Sequence, residues 1–74
     1  MRDFDSSDQS PTLTAREIEC LSALTEGLTS EGIARRLSIS VPTVTMHLTN
    51  ARRKLHAATR EQAVAIAVRS GLVK

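Results

Sequence analysis

The stretch Thr29-Ser30-Glu31-Gly32-Ile33-Ala34-Arg35-Arg36-Leu37-Ser38-Ile39-Ser40-Val41-Pro42-Thr43-Val44-Thr45-Met46-His47-Leu48-Thr49-Asn50-Ala51-Arg52-Arg53-Lys54-Leu55 decides the fold. Thr29 and Ser30 are helix-capping residue types set just before an apolar periodicity through Ile33, Ala34 and Leu37. They predict a helix of about two turns. Ser38-Ile39-Ser40 reads as a turn, with Ser40 capping the next helix. Pro42 falls in the first turn of that helix, where its missing N–H does no harm. The third helix is expected from Val41 to Leu55. At about 100° per residue, its Val44, Leu48, Ala51 and Leu55 form one narrow apolar stripe. Two short helices joined by a tight turn, the second amphipathic and basic, make a helix-turn-helix.

The flanks supply the other two helices. Upstream, Thr14-Ala15-Arg16-Glu17 spells a capping box, and Leu13 can staple against Ile18. Glu17, Cys20, Leu21, Leu24 and Leu28 share a face of helix one, and Gly27 is its expected C-terminal cap. Downstream, Thr59-Arg60-Glu61-Gln62 spells a second capping box, and Gly71 ends helix four, with Leu72 and Val73 folding back. The expectation is an all-α, four-helix domain over residues 13–74. Residues 1–12 read as a disordered acidic and polar arm or linker, because Met1 to Thr12 holds almost no apolar residue.

Composition narrows the function. One Phe with no Tyr or Trp argues against a sheet protein. The single cysteine, Cys20, cannot form an internal disulfide and reads as a small core residue. Cys20, His47 and His56 lack metal-ligand spacing, so no metal or cofactor is expected. His47 lies beside the buried stripe, and His56 falls in the turn before helix four. No nucleophile–base pair, paired carboxylates or phosphate loop is visible, which argues against an enzyme. The acidic N-terminus does not read as a signal peptide, and no apolar run spans a membrane. A cytoplasmic protein associated with the nucleoid, with no small-molecule ligand on this domain, is the reading. Charge is divided unequally: residues 1–31 carry two basic and seven acidic side chains, whereas residues 32–74 carry eight basic and one acidic. That asymmetry fits a polyanion partner for the second half, and equally a solvated basic face.

The side of helix three opposite its apolar stripe carries Pro42, Met46, Thr49 and Arg53, with Thr45 and Asn50 at the edges. It is small, polar and free of carboxylates, which suits entry into the major groove of double-stranded DNA. Arg53 can pair with a guanine edge or a phosphate, and Asn50 with adenine or water. Thr45, Met46 and Thr49 can touch thymine methyls. Thr43, Arg52 and Lys54 flank the strip as phosphate candidates. Thr29 and Ser30 offer the free N–H groups of a helix start to another phosphate. Arg35 and Arg36 extend the basic surface.

Helix four has apolar residues on two sides. Ala63, Ile66 and Ala67 can pack on the domain, while Val64, Ala65 and Val68 are left for a homodimer or for cover by the chain ends. A two-fold dimer would read half-sites about one helical turn apart.

These residues resemble a known family. Leu13-Thr14-Ala15-Arg16-Glu17, Gly27, Ile33 to Ser40, Thr43-Val44, His47, Arg53-Lys54-Leu55, Arg60 to Val64 and Gly71-Leu72 are similar to the LuxR/GerE-type helix-turn-helix. The resemblance implies a bacterial transcription regulator that binds DNA as a dimer. Helix three would be its recognition helix and helix four its dimerisation helix. It also implies a C-terminal position behind a sensor domain that binds an acyl-homoserine lactone or accepts a phosphoryl group. Two positions depart from the family pattern: Gly32 stands where Glu is common, and Thr45 where Lys is common. The first points to a looser helix two; the second removes a strong contact and makes the chain resemble the acyl-homoserine-lactone branch more. Region four of a sigma factor is a rival of the same class, and RNA polymerase is a candidate partner. An interaction module that pairs with a full-length regulator and blocks it is a reading of a different class.

Overall fold

Four hydroxyl side chains start the helices in the computed structural model, which describes residues 12–73. The helices are α1 (Ala15–Thr25), α2 (Ser30–Leu37), α3 (Val41–Lys54) and α4 (Arg60–Arg69). The Oγ atoms of Thr14, Thr29, Ser40 and Thr59 accept from the backbone N–H groups of Glu17, Gly32, Thr43 and Gln62, at 3.0–3.2 Å. Each bond satisfies one of the donors a helix start leaves unpaired. At α1 the box is complete, because Glu17 accepts from the Thr14 N–H at 2.9 Å. At α4 it is not: Gln62 reaches past Thr59 and accepts from the Ala58 N–H at 2.6 Å. At α2 the third residue is Gly32, which has no side chain to return the bond. The arm reading for residues 1–12 lies outside the described residues except at Thr12.

The four helices also end alike. Gly27, Ser38, His56 and Gly71 adopt positive φ of 86°, 58°, 57° and 79°. The next residue then donates its N–H back into the last turn: Leu28 to Ala23, Ile39 to Ala34, Ala57 to Arg52 and Leu72 to Ala67, at 2.9–3.2 Å. This is the Schellman arrangement, and it satisfies carbonyls that would otherwise be orphaned. Two of the four use a non-glycine residue in the left-handed region, which glycine spacing does not reveal. Ser38 does so between α2 and α3, where the chain must turn within three residues.

Helix α3 lies at the centre and packs against α1, α2 and α4; α1 also packs on α4. Cys20, Leu21, Ile33 and Val44 are fully buried, joined by Leu48, Ala51, Leu55, Ala63 and Ala67. Alanines at 51, 63 and 67 let the helix axes approach. Ala23 is buried too, while Leu24 and Leu28 are only partly so. Burying a Leu or Ile contributes about 1.5–3 kcal/mol, so Leu21 and Ile33 carry a large share in so small a core. Val73 is buried and Leu72 half-buried, both folded back on α4. Burial pushes the Cys20 thiol pKa up, with the nearby Glu19 charge adding to it, which keeps the thiol in its unreactive protonated form. No helix among the described residues is long and apolar enough to cross a membrane.

Candidate nucleic-acid interface

With Val44, Leu48, Ala51 and Leu55 turned into the core, the far side of α3 is left open. Thr45, Met46 and Arg53 are exposed, and Thr49 and Asn50 are half-exposed. Met46 is 51% exposed, so its flexible apolar side chain is not a core filler. The side chains of Thr45, Thr49, Asn50 and Arg53 form no hydrogen bond with another described residue, and α3 holds no acidic residue. The strip is therefore a set of unspent donors and methyl groups on a rigid helix.

Its flanks are more committed. Thr43 Oγ1 lies 2.8 Å from Ser40 Oγ, so that hydroxyl is shared with the cap of α3. Thr29 is exposed and caps α2, and Ser30 beside it is half-buried. Arg35 is exposed, whereas Arg36 pairs with Glu26 at 2.9 Å across the α1–α2 junction. Arg52 donates from Nη1 to the Ala57 carbonyl at 3.1 Å, which ties α3 to the turn that follows it.

Lys54, a phosphate candidate from the sequence, makes an ion pair within the domain. Its Nζ donates to both carboxylate oxygens of Glu17, at 2.9 and 3.2 Å, and to the Thr12 carbonyl at 3.2 Å. Glu17 is 3% exposed and needs a partner there. Burial by itself would raise the Glu17 pKa. Hydrogen bonds from Lys54 and the Thr14 backbone, with the Lys54 charge, outweigh burial and hold the carboxyl below its ordinary range. The ammonium is spent inside the domain.

The residues expected on the second face of α4 differ in exposure. Ala63 and Ala67 are buried and Ile66 half-buried, but Val64 is half-buried as well and packs against the core. Ala65 and Val68 are open, Val68 to 47%. One basic residue that sequence reasoning left out lies beside the strip. Arg60, the first residue of α4, lines a cleft with Thr49 and Arg52 of α3. No periodicity pointed to it, because the turn after α3 brings the two helices together.

Comparison with known proteins agrees with this geometry. Residues 11–67 match the family model of bacterial regulatory proteins of the luxR family. The chain is 44% identical over 61 residues to the transcriptional activator protein LuxR of Aliivibrio fischeri, covering 82% of this chain and 24% of that protein. It is 42% identical over 62 residues to the transcriptional regulatory protein LiaR of Bacillus subtilis, covering 84% of this chain and 29% of the relative. The chain thus spans about a quarter of the length of the curated relatives it matches. Among solved structures, the transcription factor GerE superposes with a TM-score of 0.81 at 34% identity, covering 84% of this chain and 92% of that one.

Proposed function

The chain belongs to the luxR family of bacterial regulatory proteins, and we propose that it reads DNA by placing α3 in the major groove as one half of a homodimer. The observation that carries this is the open, carboxylate-free strip on α3, set opposite a buried stripe. Arg53 and Asn50 supply hydrogen bonds to base edges, and Thr45, Met46 and Thr49 supply apolar contact with thymine methyls. Thr29, Ser30 and Thr43 at the helix starts and Arg52 on the flank position the backbone. Lys54 is not in that set, because Glu17 holds it.

The second copy docks on the exposed side of α4. Ala65 and Val68 form the contact, with Val64 at its rim. So small an apolar area gives weak association without DNA, and the duplex supplies the rest by holding two copies one helical turn apart. Such a domain, carried in a protein that regulates transcription, acts in the cytoplasm on the nucleoid.

The test is selection from a randomised DNA pool with the wild type, Asn50→Ala and Arg53→Ala, followed by titration of the selected site against salt. The expected result is a two-fold-related motif, altered in each variant, with affinity falling steeply as salt rises. Val68→Glu is expected to keep single half-site binding and lose the preference for paired half-sites. A wild type that enriches no motif would overturn groove reading by α3.

A further inference from the structure

Beside the outward strip of α3, on the flank toward α4, lies a cleft of about 170 Å3. Leu48, Thr49 and Arg52 line it from α3; Ala58, Thr59 and Arg60 line it from the turn and the start of α4. Four of these six side chains carry donors and none carries a carboxylate. Arg52 is held in the cleft wall by its bond to the Ala57 carbonyl. That bond uses one of the five guanidinium donors and leaves the others open. Thr59 Oγ1 accepts from the Gln62 N–H, so its own O–H remains free to donate.

Arg60 pairs with no described acid. Glu17, Glu19 and Glu26 are taken by Lys54, Arg16 and Arg36. The adjacent Glu61 lines a separate, more apolar cleft with Leu24 and Val64, which Arg60 also borders. A cation on the first residue of a helix faces the positive end of the helix dipole, an unfavourable place for it. Two arginines thus line one small cleft whose other lining residues carry no carboxylate. Thr49 belongs both to this cleft and to the outward strip.

We propose that the cleft seats one backbone phosphodiester of the bound DNA, gripped between Arg52 and Arg60, with the Thr49 and Thr59 hydroxyls as further donors. This rests on the DNA-reading role of α3 and adds a site to it. Guanidinium groups suit the non-bridging phosphate oxygens, whose charge and geometry they match. A phosphate held here ties α4 as well as α3 to the duplex and sets how α3 enters the groove. It specifies no base.

Arg60→Gln is the variant of choice, because Arg52 also braces the turn. Binding of wild type, Arg60→Gln and Arg69→Gln to the selected site is measured by fluorescence anisotropy over a salt series. For Arg60→Gln the expected result is affinity lower by roughly tenfold on every sequence, as suits a lost charge-assisted bond. The slope of log affinity against log salt flattens by about 0.9 for each half-site occupied, the motif stays unchanged, and the melting temperature does not fall. Arg69→Gln, with the same change of charge at the other end of α4, keeps the wild-type slope. Replacing each phosphate in turn by a neutral methylphosphonate should find one position in each half-site whose replacement weakens the wild type more than it weakens Arg60→Gln. An Arg60→Gln slope equal to wild type overturns the proposal, as does equal flattening by Arg69→Gln or the absence of any such phosphate. If the wild type itself selects no motif, it is the DNA reading that fails. If the wild type selects one and Arg60→Gln behaves the same, only the cleft is lost.

Discussion

Arg52, Arg53 and Lys54 follow one another in the chain, yet the fold sends them to three different places. Lys54 closes over the buried Glu17 and the Thr12 carbonyl, at the corner where the chain enters α1. Arg52, about 200° away around the α3 axis, borders the cleft it shares with Arg60. Arg53 stands between them on the open strip. The two flanks of α3 thus use positive charge oppositely. At the Lys54 corner a cation neutralises a carboxylate that has lost its water. At the Arg52 cleft two arginines line one space with no acid among the lining residues. A basic residue on a candidate recognition helix is therefore no guide to a phosphate contact until its neighbours are known.

The largest effect that separates the two flanks is expected from Lys54→Met. It leaves the Glu17 carboxylate buried without its partner, which costs about 2 kcal/mol, moderated by the partial exposure of Lys54. In a domain of this size that lowers the melting temperature by roughly 10 °C. The salt slope of DNA binding should change less than with Arg60→Gln. A normal melting temperature together with a flattened salt slope would put Lys54 back among the phosphate contacts.

Next in size is the pH dependence. The Glu17 carboxyl titrates lower in the folded chain than in the unfolded one. The stabilisation it provides is therefore complete above the ordinary carboxylate range and is lost as pH falls through that range toward the folded value. Glu17→Gln should be less stable than wild type near neutrality, by roughly 1–2 kcal/mol. Denaturant midpoints of the two should converge on acidification. Curves that stay parallel would show that the ion pair contributes nothing.

The smallest effect serves as the control, at a site away from both flanks. A Cβ on Gly32 would meet its nearest neighbours, Thr29 Oγ1 and Leu28 Cγ, at 3.5 and 3.6 Å, which is ordinary contact. Gly32→Ala should stabilise the domain by about 0.5–1 kcal/mol through the helix propensity of alanine. Its salt slope should match wild type. A changed slope would mean that stability and DNA contact cannot be separated in this domain.

Much of the fold is legible in the sequence because helix starts, glycine stops and apolar stripes are settled within about four residues. The capping threonines and serine, Gly27, Gly71 and the Val44–Leu55 stripe could all be read that way, and the angle of Met46 already opposed the stripe. Gln62 could not be placed, since a glutamine can reach either of two neighbouring N–H groups. Nor could the left-handed turns at Ser38 and His56, which no glycine marks.

The sequence by itself determined four capped helices, their order, and a third helix with one apolar and one open side. Only the tertiary structure decided which charges remain available on that helix. Lys54 and Glu17 are 37 residues apart, and Arg60 reaches the α3 flank only because the chain turns through His56. The reason is desolvation. A buried carboxylate claims whichever cation packing brings within reach, and packing is a property of all four helices together.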